Sequence, residues 1–262
     1  VIGAYYEYRA EGFSTLNYLT AIGTGNRKLY GVYADFRASE RLTWKAYADF
    51  DETTLGVGSR TFGVEVENQV SEKLRVAFAA EHTEQTTATS DDSRTAAKVL
   101  LEYSPRKDLT YSAYAQHTLD DNGLGELNRY GLGIETKINE SWQLAAEISD
   151  GTGGVGGEIL ANYSKGDDTN YYFGYALDPG REHDQNILGS DGGKFIVGGR
   201  RKVDDRVSYF GENSYDLFGR RRTLATNYGV EYKASDATTY DFAFELGQVV
   251  DPDNGDFDRT AV

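Results

Sequence analysis

Residues 30–50 read YGVYADFRASERLTWKAYADF, and the alternation in this segment indicates the architecture of the chain. Apolar side chains alternate with polar or very small ones from Tyr30 to Phe36, before the central turn Ala38 to Arg41, and again from Leu42 to Phe50. A period of two places successive side chains on opposite faces of an extended strand. The stretch is therefore predicted to be a β-hairpin with one apolar face and one charged face.

The hairpin pattern recurs three more times along the chain. The copies run from Phe62 to His82, from Tyr130 to Ile148 and from Tyr228 to Leu246, with tight polar turns at 70–73, 138–141 and 234–237. Repetition of one supersecondary unit predicts an architecture built from many copies of it. The predicted strands have about 9 to 12 residues, as membrane-spanning strands do. Strands of soluble proteins usually have about 5 to 6 residues, so strand length favours a transmembrane β-barrel over a soluble sandwich.

The composition fits a membrane protein built from strands. Hydrophobic residues make up 39% of the 262 residues, and the mean hydropathy is -0.58. A moderate total is expected, because only alternate residues of a barrel strand meet lipid. The chain has no Cys and 20 Tyr, which suit an oxidising periplasm and two membrane interfaces. The net charge of -15 argues against nucleic acid as a partner.

The connections between the predicted strands alternate in length, as they do in outer-membrane barrels. The short set lies near residues 9–12, 38–41, 70–73, 104–108, 138–141, 164–168, 203–206 and 233–238. The longer set lies near residues 21–26, 51–58, 83–93, 119–126, 151–154, 179–191, 216–220 and 250–256. This spacing predicts about sixteen strands and the start of a seventeenth, with both chain ends on the long-loop side.

Residues 1–262 are therefore expected to form one transmembrane β-barrel domain that is part of a longer chain. The alternative is a closed sixteen-stranded barrel with trimmed ends. The absence of an initiator Met and of a signal peptide before Val1 fits a processed or partial chain.

With these hairpins and alternating connections, the chain resembles bacterial outer-membrane β-barrel proteins of the porin-like or large-barrel class. The resemblance is architectural and covers essentially the whole chain. It implies an all-β fold, a transmembrane antiparallel up-and-down β-barrel, in the bacterial outer membrane, with lipid and lipopolysaccharide as neighbours. The ending Arg259-Thr260-Ala261-Val262 lacks the terminal aromatic residue usual in the family. The run Arg220 to Arg222 is a candidate for contact with lipopolysaccharide phosphates, or else it balances loop acids.

The charged face of the strands is the one that bears on function. A barrel of this width leaves an aqueous lumen unless something fills it, and the charged face is expected to line that lumen. The pore-lining candidates are Asp35, Lys45, Asp49, Glu65, Glu67, Arg75, Lys98, Glu102, Arg129, Glu135, Glu147, Glu158, Glu231, Asp241 and Glu245. Acids outnumber bases among them, so an open pore is expected to favour cations. Alternatively, opposite charges pair across neighbouring strands and simply solvate the wall.

Aromatic residues recur a few positions after the short turns, at Trp44, Tyr111, Trp142, Tyr209 and Tyr240. These positions predict the aromatic girdle that anchors a barrel at the membrane interface. Binding of sugars or other ligands by ring stacking is the less favoured interpretation.

Neither a catalytic site, a cofactor site nor a metal site is predicted. The chain has three His and no Cys, and its Ser residues lack a nucleophile-elbow sequence. The acidic loop Asp251 to Asp258 is rich in oxygen ligands, but its spacing does not match an EF-hand.

Two functions fit these observations. The first is a pore for passive passage of small solutes, with a preference for cations. The second is a structural or secretion-type barrel whose lumen is plugged by, or passes, other protein segments, so that plug or complex partner proteins are expected.

Overall fold

The computed structural model describes residues 1–10, 14–15, 18–19, 25–177, 193–216, 222–235, 238–250 and 256–261. Most of these residues lie in β-strands. Within these ranges, no helix has the length and apolar character needed to cross a membrane.

The described strands follow one another through tight turns and loops. They are β1 (Ile2–Arg9), β2 (Ser14–Thr15), β3 (Tyr18–Leu19), β4 (Arg27–Arg37), β5 (Leu42–Thr53), β6 (Gly58–Ser71), β7 (Leu74–Thr86), β8 (Asp91–Arg106), β9 (Leu109–Asn122), β10 (Arg129–Lys137), β11 (Trp142–Gly151), β12 (Gly156–Lys165), β13 (Thr169–Leu177), β14 (Gly193–Lys202), β15 (Val207–Asp216), β16 (Arg222–Ser235), β17 (Thr238–Val250) and β18 (Phe257–Ala261). The strand order of the main sheet is β1-β4 and then each strand in sequence to β18, which makes 16 strands among the described residues. The predicted antiparallel up-and-down arrangement is confirmed.

The chain divides into two compact units, which are described separately. The first unit comprises Val1–Thr15, Leu19–Leu132 and Ser149–Gly153. The second unit comprises Leu16–Tyr18, Gly133–Ile148 and Gly154–Val262.

One predicted strand, between the turn at 9–12 and the loop at 21–26, is wrong. β1 pairs directly with β4, with Ile2 opposite Ala34 and Arg9 opposite Arg27, whereas β2 and β3 pair with each other. The physical reason is the length of the ladder: β4 offers β1 eight successive partners, and β2 and β3 have only two residues each.

The direction of β1 also corrects the predicted position of the chain start. Because β1 runs antiparallel to β4, Val1 lies beside Asp35, near the short-turn end of β4. The backbone N–H of Asp35 donates to the carbonyl of Val1 at 2.8 Å. Val1 is therefore at the short-turn end of these strands and not on the long-loop side.

The predicted loops 51–58 and 83–93 are shorter than expected, because strands extend into both. β5 continues to Thr53 and β7 continues to Thr86, and the ladder pairs Thr86 with Asp91. Polar side chains do not prevent this extension, because the ladder is made by backbone groups. The predicted loop 179–191, residues 217–221 and residues 251–255 lie outside the described residues, and so do Arg220 and Arg221.

The short turns are fixed by small polar side chains that accept backbone N–H groups, a common device in turns. The bonds are Arg41 to Ser39 (3.2 Å), Lys73 to Ser71 (3.3 Å), Ser141 and Trp142 to Asn139 (2.9 Å each), and Arg206 and Val207 to Asp204 (2.8 and 2.9 Å). Because N–H donors favour the charged carboxylate, the pKa of Asp204 lies below its ordinary value.

The ladder separates the side chains of the first unit into two faces. The charged face contains Tyr5, Gly31, Asp35, Lys45, Asp49, Glu65, Glu67, Arg75, Glu81, Lys98 and Glu102, and the apolar face contains Tyr6, Val32, Ala34, Trp44, Ala46, Phe62, Val64, Phe78, Ala80 and Ala97. One charged row pairs Asp35 with Lys45, and Lys45 with Glu65. The next row pairs Ala46 with Val64, and Val64 with Ala80, on the opposite face.

The second unit repeats this division. Its charged face contains Glu158, Tyr172, Gly198, Arg200, Glu212, Glu231, Asp241 and Glu245, and its apolar face contains Tyr171, Phe173, Val197, Tyr209, Val230 and Phe242. Tyr209 pairs with Val230, and Val230 with Phe242, in one apolar row.

The apolar face is not covered by other protein. Among the described residues, only Ala77, Ala96, Ala161 and Val249 are buried apolar residues. Large side chains such as Phe36, Leu132 and Phe242 remain 64 to 67% exposed. An exposed apolar surface of this extent is stable only against another apolar phase, and a lipid bilayer supplies one.

A single Arg on the apolar face tests this assignment. Val64 lies in the middle of β6 between Ala46 and Ala80, so Val64→Arg is expected to reduce the free energy of folding into phospholipid vesicles by about 2–4 kcal/mol, the cost of Arg near the bilayer midplane. The measurement is urea unfolding in vesicles. Thr61→Arg, on the charged face of the same strand, is the control and is expected to cost less than about 1 kcal/mol. Equal costs for the two variants would contradict the assignment.

Candidate functional site

The charged face is the candidate functional site. In the first unit, register places eight pore-lining candidates on this one face: Asp35, Lys45, Asp49, Glu65, Glu67, Arg75, Lys98 and Glu102. Arg129 of the same unit donates to Ser149 at 2.8 Å. The shared face follows from the period of two and from strand pairing.

Five of these residues form a chain of ion pairs across β5 to β8, here called the ion-pair ladder. The Lys45 ammonium lies 3.1 Å from Glu65 and also bonds Glu67. The Arg75 guanidinium lies 3.1 Å from Glu67 and also bonds Glu102. These contacts are the cross-strand pairing that the sequence left open as an alternative.

The ion-pair ladder balances most of its own charge. Its members are partly exposed, and exposed ion pairs contribute little stability individually. Two cations nevertheless lie between three carboxylates. The ladder therefore adds little net field to the charged face.

The candidates in the second unit have mixed surroundings. Arg200 donates to Ser208 at 3.1 Å and to Glu231 at 2.5 Å. Asp241 lies directly opposite Glu231. The remaining candidates are Glu158, which faces Ala176 in the register, Glu245, which faces Asn227, Glu135, which accepts a hydrogen bond from Gln143 at 2.5 Å, and Glu147, which lies in β11.

A second arrangement on the charged face was not predicted from sequence. Tyr5, Gly31 and Asp49 lie in one row on β1, β4 and β5. The Tyr5 hydroxyl crosses the middle strand and donates to Asp49 at 2.7 Å. A Cβ added at Gly31 would come within 2.7 Å of the Tyr5 ring, so the ring can lie against the sheet only because residue 31 is glycine.

The same arrangement occurs twice more. In the first unit, Tyr47 on β5 lies over Gly63 on β6 and donates to Glu81 on β7. In the second unit, Tyr172 on β13 lies over Gly198 on β14 and donates to Glu212 on β15. These three sets, Tyr5–Gly31–Asp49, Tyr47–Gly63–Glu81 and Tyr172–Gly198–Glu212, are called the tyrosine triads.

One signal in the sequence could have identified the tyrosine triads. Tyr47 falls on the charged parity of its strand, and so do Gly63 and Glu81. When a large ring lies on the charged face opposite a glycine of the next strand, the ring has room to cover that glycine. The register that aligns the three residues, however, depends on the loop between β5 and β6.

The predicted girdle residues lie on the apolar face at the starts of their strands. Trp44, Tyr111, Trp142, Tyr209 and Tyr240 are all exposed. Several have aromatic neighbours that extend the row: the rings of Trp142 and Tyr163 are 5.1 Å apart, Tyr111 pairs with Tyr103, and Tyr240 pairs with Tyr232.

No group of three or more His, Asp or Glu residues in the described ranges could hold a metal ion. His82 bonds Thr95 at 2.8 Å on the apolar face.

Comparisons with known proteins give structural neighbours only. No family model matches the chain, and no curated protein matches it. The siderophore receptor PirA from Pseudomonas aeruginosa is 13% identical, with a TM-score of 0.52 over 95% of this chain and 56% of the receptor. PirA from Acinetobacter baumannii is 9% identical, with a TM-score of 0.51 over 99% of this chain and 57% of the receptor. A variant of the Rhodobacter blastica porin is 12% identical, with a TM-score of 0.41 over 83% of this chain and 90% of the porin.

The chain thus spans a little over half the length of the siderophore receptors that it matches. These neighbours are two siderophore receptors and a porin. At this sequence identity, the structural similarity supports the fold and nothing more specific. The chain has the all-β, antiparallel up-and-down fold of the outer-membrane β-barrels.

Proposed function

We propose that this chain forms the wall of an outer-membrane β-barrel that lets small solutes pass passively, with a preference for cations. The observation that carries the proposal is the division of the strands into two faces. Large apolar side chains occupy one face in both units, and charged side chains occupy the other.

The two faces require two different solvents. Charged groups are stable only where water or a partner solvates them, and the apolar face is stable against lipid. A barrel of about sixteen strands or more has room for a water-filled channel. The charged face would then line that channel, with the pore-lining candidates in contact with permeating ions.

The charge balance of this face supports a preference for cations. The ion-pair ladder uses Lys45 and Arg75 to balance its own carboxylates. In the first unit, Asp35, Asp49 and Glu81 add three negative charges to this face and Lys98 adds one positive charge. A wall with this negative excess favours cations.

The apolar face and its aromatic residues are proposed to contact the membrane. Trp44, Tyr111, Trp142, Tyr209 and Tyr240 would form an interfacial girdle, since Trp and Tyr favour the headgroup region. Lipid and lipopolysaccharide are accordingly the proposed neighbours of this face, in the outer membrane of a Gram-negative bacterium.

Conductance across a planar bilayer tests the pore. The purified, folded protein is expected to give steady channels, and in a KCl gradient the reversal potential is expected to have the sign for K⁺ over Cl⁻ because acids exceed bases on the charged face. The control is the same protein after heat denaturation. Absence of conductance from a heat-modifiable, folded protein would contradict the open pore.

Accessibility of introduced thiols tests which face meets water. The chain contains no Cys, so single replacements give a clean signal. Thr61→Cys, on the charged face of β6, is expected to react with a charged, membrane-impermeant maleimide in vesicles. Val64→Cys, on the apolar face of the same strand, is expected to react only after denaturation, because hydrocarbon excludes the reagent. Equal labelling of both variants in vesicles would contradict the assignment of the faces.

The likeness to the two siderophore receptors favours a second candidate function, in which the lumen is plugged by, or passes, other protein segments. Large outer-membrane transporters of about 22 strands have a plugged lumen, and the receptors are the neighbours with TM-scores of 0.52 and 0.51. Folded protein that is silent in bilayers but conducts after addition of a denaturant such as urea at sub-unfolding concentration would favour this second candidate.

A further inference from the structure

The tyrosine triads contain carboxylates for which the described ranges show no cationic partner. Within the part of the chain that the structure describes, the ion pairs do not include Asp49, Glu81 or Glu212. Each of the three accepts a hydrogen bond from a tyrosine hydroxyl instead. A hydroxyl donor orients a carboxylate and leaves its charge in place, whereas Lys45 and Arg75 cancel the charge of the carboxylates in the ion-pair ladder.

The geometry of the triads keeps these carboxylates close to the sheet. Each ring covers a glycine on the middle strand, and each hydroxyl reaches an acid on the third strand. The tyrosine and acid side chains together therefore bridge two non-adjacent strands, which lie about 10 Å apart at the usual spacing of strands. A carboxylate fixed in this way keeps one position and does not follow a solute through the lumen.

The outer face of such a ring is also suited to a cation. Tyr114 is a further tyrosine of the charged face that lies over a glycine, because a Cβ at Gly131 would come within 2.5 Å of its ring. The ammonium of Lys98 lies 4.5 Å from the centre of the Tyr114 ring. This cation–π contact shows that a ring held over glycine leaves a face on which an ammonium group can sit.

We propose that the tyrosine triads are the cation-selecting sites of the pore. At each triad, a monovalent cation, K⁺ or an ammonium ion, contacts a carboxylate whose charge is not balanced by an ion pair, beside the face of the tyrosine ring. This proposal rests on the proposed pore function and names the residues that set its ion preference. Asp49, Glu81 and Glu212 are the selecting groups. Tyr5, Tyr47 and Tyr172 position them.

Reversal potentials in a KCl gradient test the proposal. The test variant carries Asp49→Asn, Glu81→Gln and Glu212→Gln together. An amide oxygen can still accept the tyrosine hydroxyl, so the triad contacts are retained while three charges are removed. The matched control carries Glu40→Gln, Glu72→Gln and Glu140→Gln, which removes the same charge from exposed short turns.

The test variant is expected to lower the K⁺/Cl⁻ permeability ratio by ~2-fold or more, because pore-lining charge controls ion preference. The control variant is expected to keep the wild-type ratio, because exposed charges more than about a Debye length away are largely screened at ~0.1 M salt. Single variants Asp49→Asn and Glu212→Gln serve if the triple variant does not fold, as judged by heat-modifiable migration. Each is expected to shift the ratio in the same direction.

The outcomes separate this proposal from the pore itself. A conducting wild type whose permeability ratio is unchanged in the test variant, or changed equally in the control variant, would overturn the triads as selecting groups and leave the pore standing. A folded wild type that does not conduct would overturn both.

A tetramethylammonium gradient, measured with Tyr47→Leu, adds a readout for the aromatic face: the permeability of this ion relative to K⁺ is expected to fall, and an unchanged value would remove the ring from the proposal.

Discussion

Backbone hydrogen bonding between neighbouring strands governs this structure. In hydrocarbon an unpaired N–H or C=O costs several kcal/mol, so each membrane-spanning strand must have a partner on both sides. β4 meets this need by pairing with β1 and β5 along most of its length. The ladder takes precedence over side-chain polarity, because it continues through Thr83 to Thr86, where the side chains are polar. The extension of β7 and β8 beyond their apolar segments follows from this preference.

Once the ladder is in place, the charged face has two ways of accommodating its acids. In the ion-pair ladder, Lys45 and Arg75 lie between carboxylates and cancel most of their charge. In the tyrosine triads, a hydroxyl holds the acid and its charge remains. The two solutions have the same strand geometry but opposite electrical results. Their proportion, more than the total number of acids, would set the field in a channel lined by this face.

Much of the architecture could be predicted from the chain alone, and the failures have identifiable causes. The hairpin from Tyr30 to Phe50 has the predicted turn and the predicted faces. The prediction of a strand near residues 13 to 20 was wrong. Alternation indicates that a segment can be extended but does not identify the strand with which it pairs, and β1 pairs with β4 instead. The loop predicted at 83–93 was too long, because side-chain polarity does not indicate where a backbone ladder ends.

Local sequence is enough to show which side chains share a face, because the period of two is a property of the local backbone. It also determined the short turns, since Ser39 and Asn139 fix their turns with bonds to residues two or three positions away. Contacts between residues on different strands, in contrast, follow from the three-dimensional arrangement of the strands. Tyr47 and Glu81 are 34 positions apart, and they meet because β5, β6 and β7 pair in one particular register with Gly63 between them. Register depends on the lengths of the connections and on the whole set of paired strands, and no local pattern contains that information.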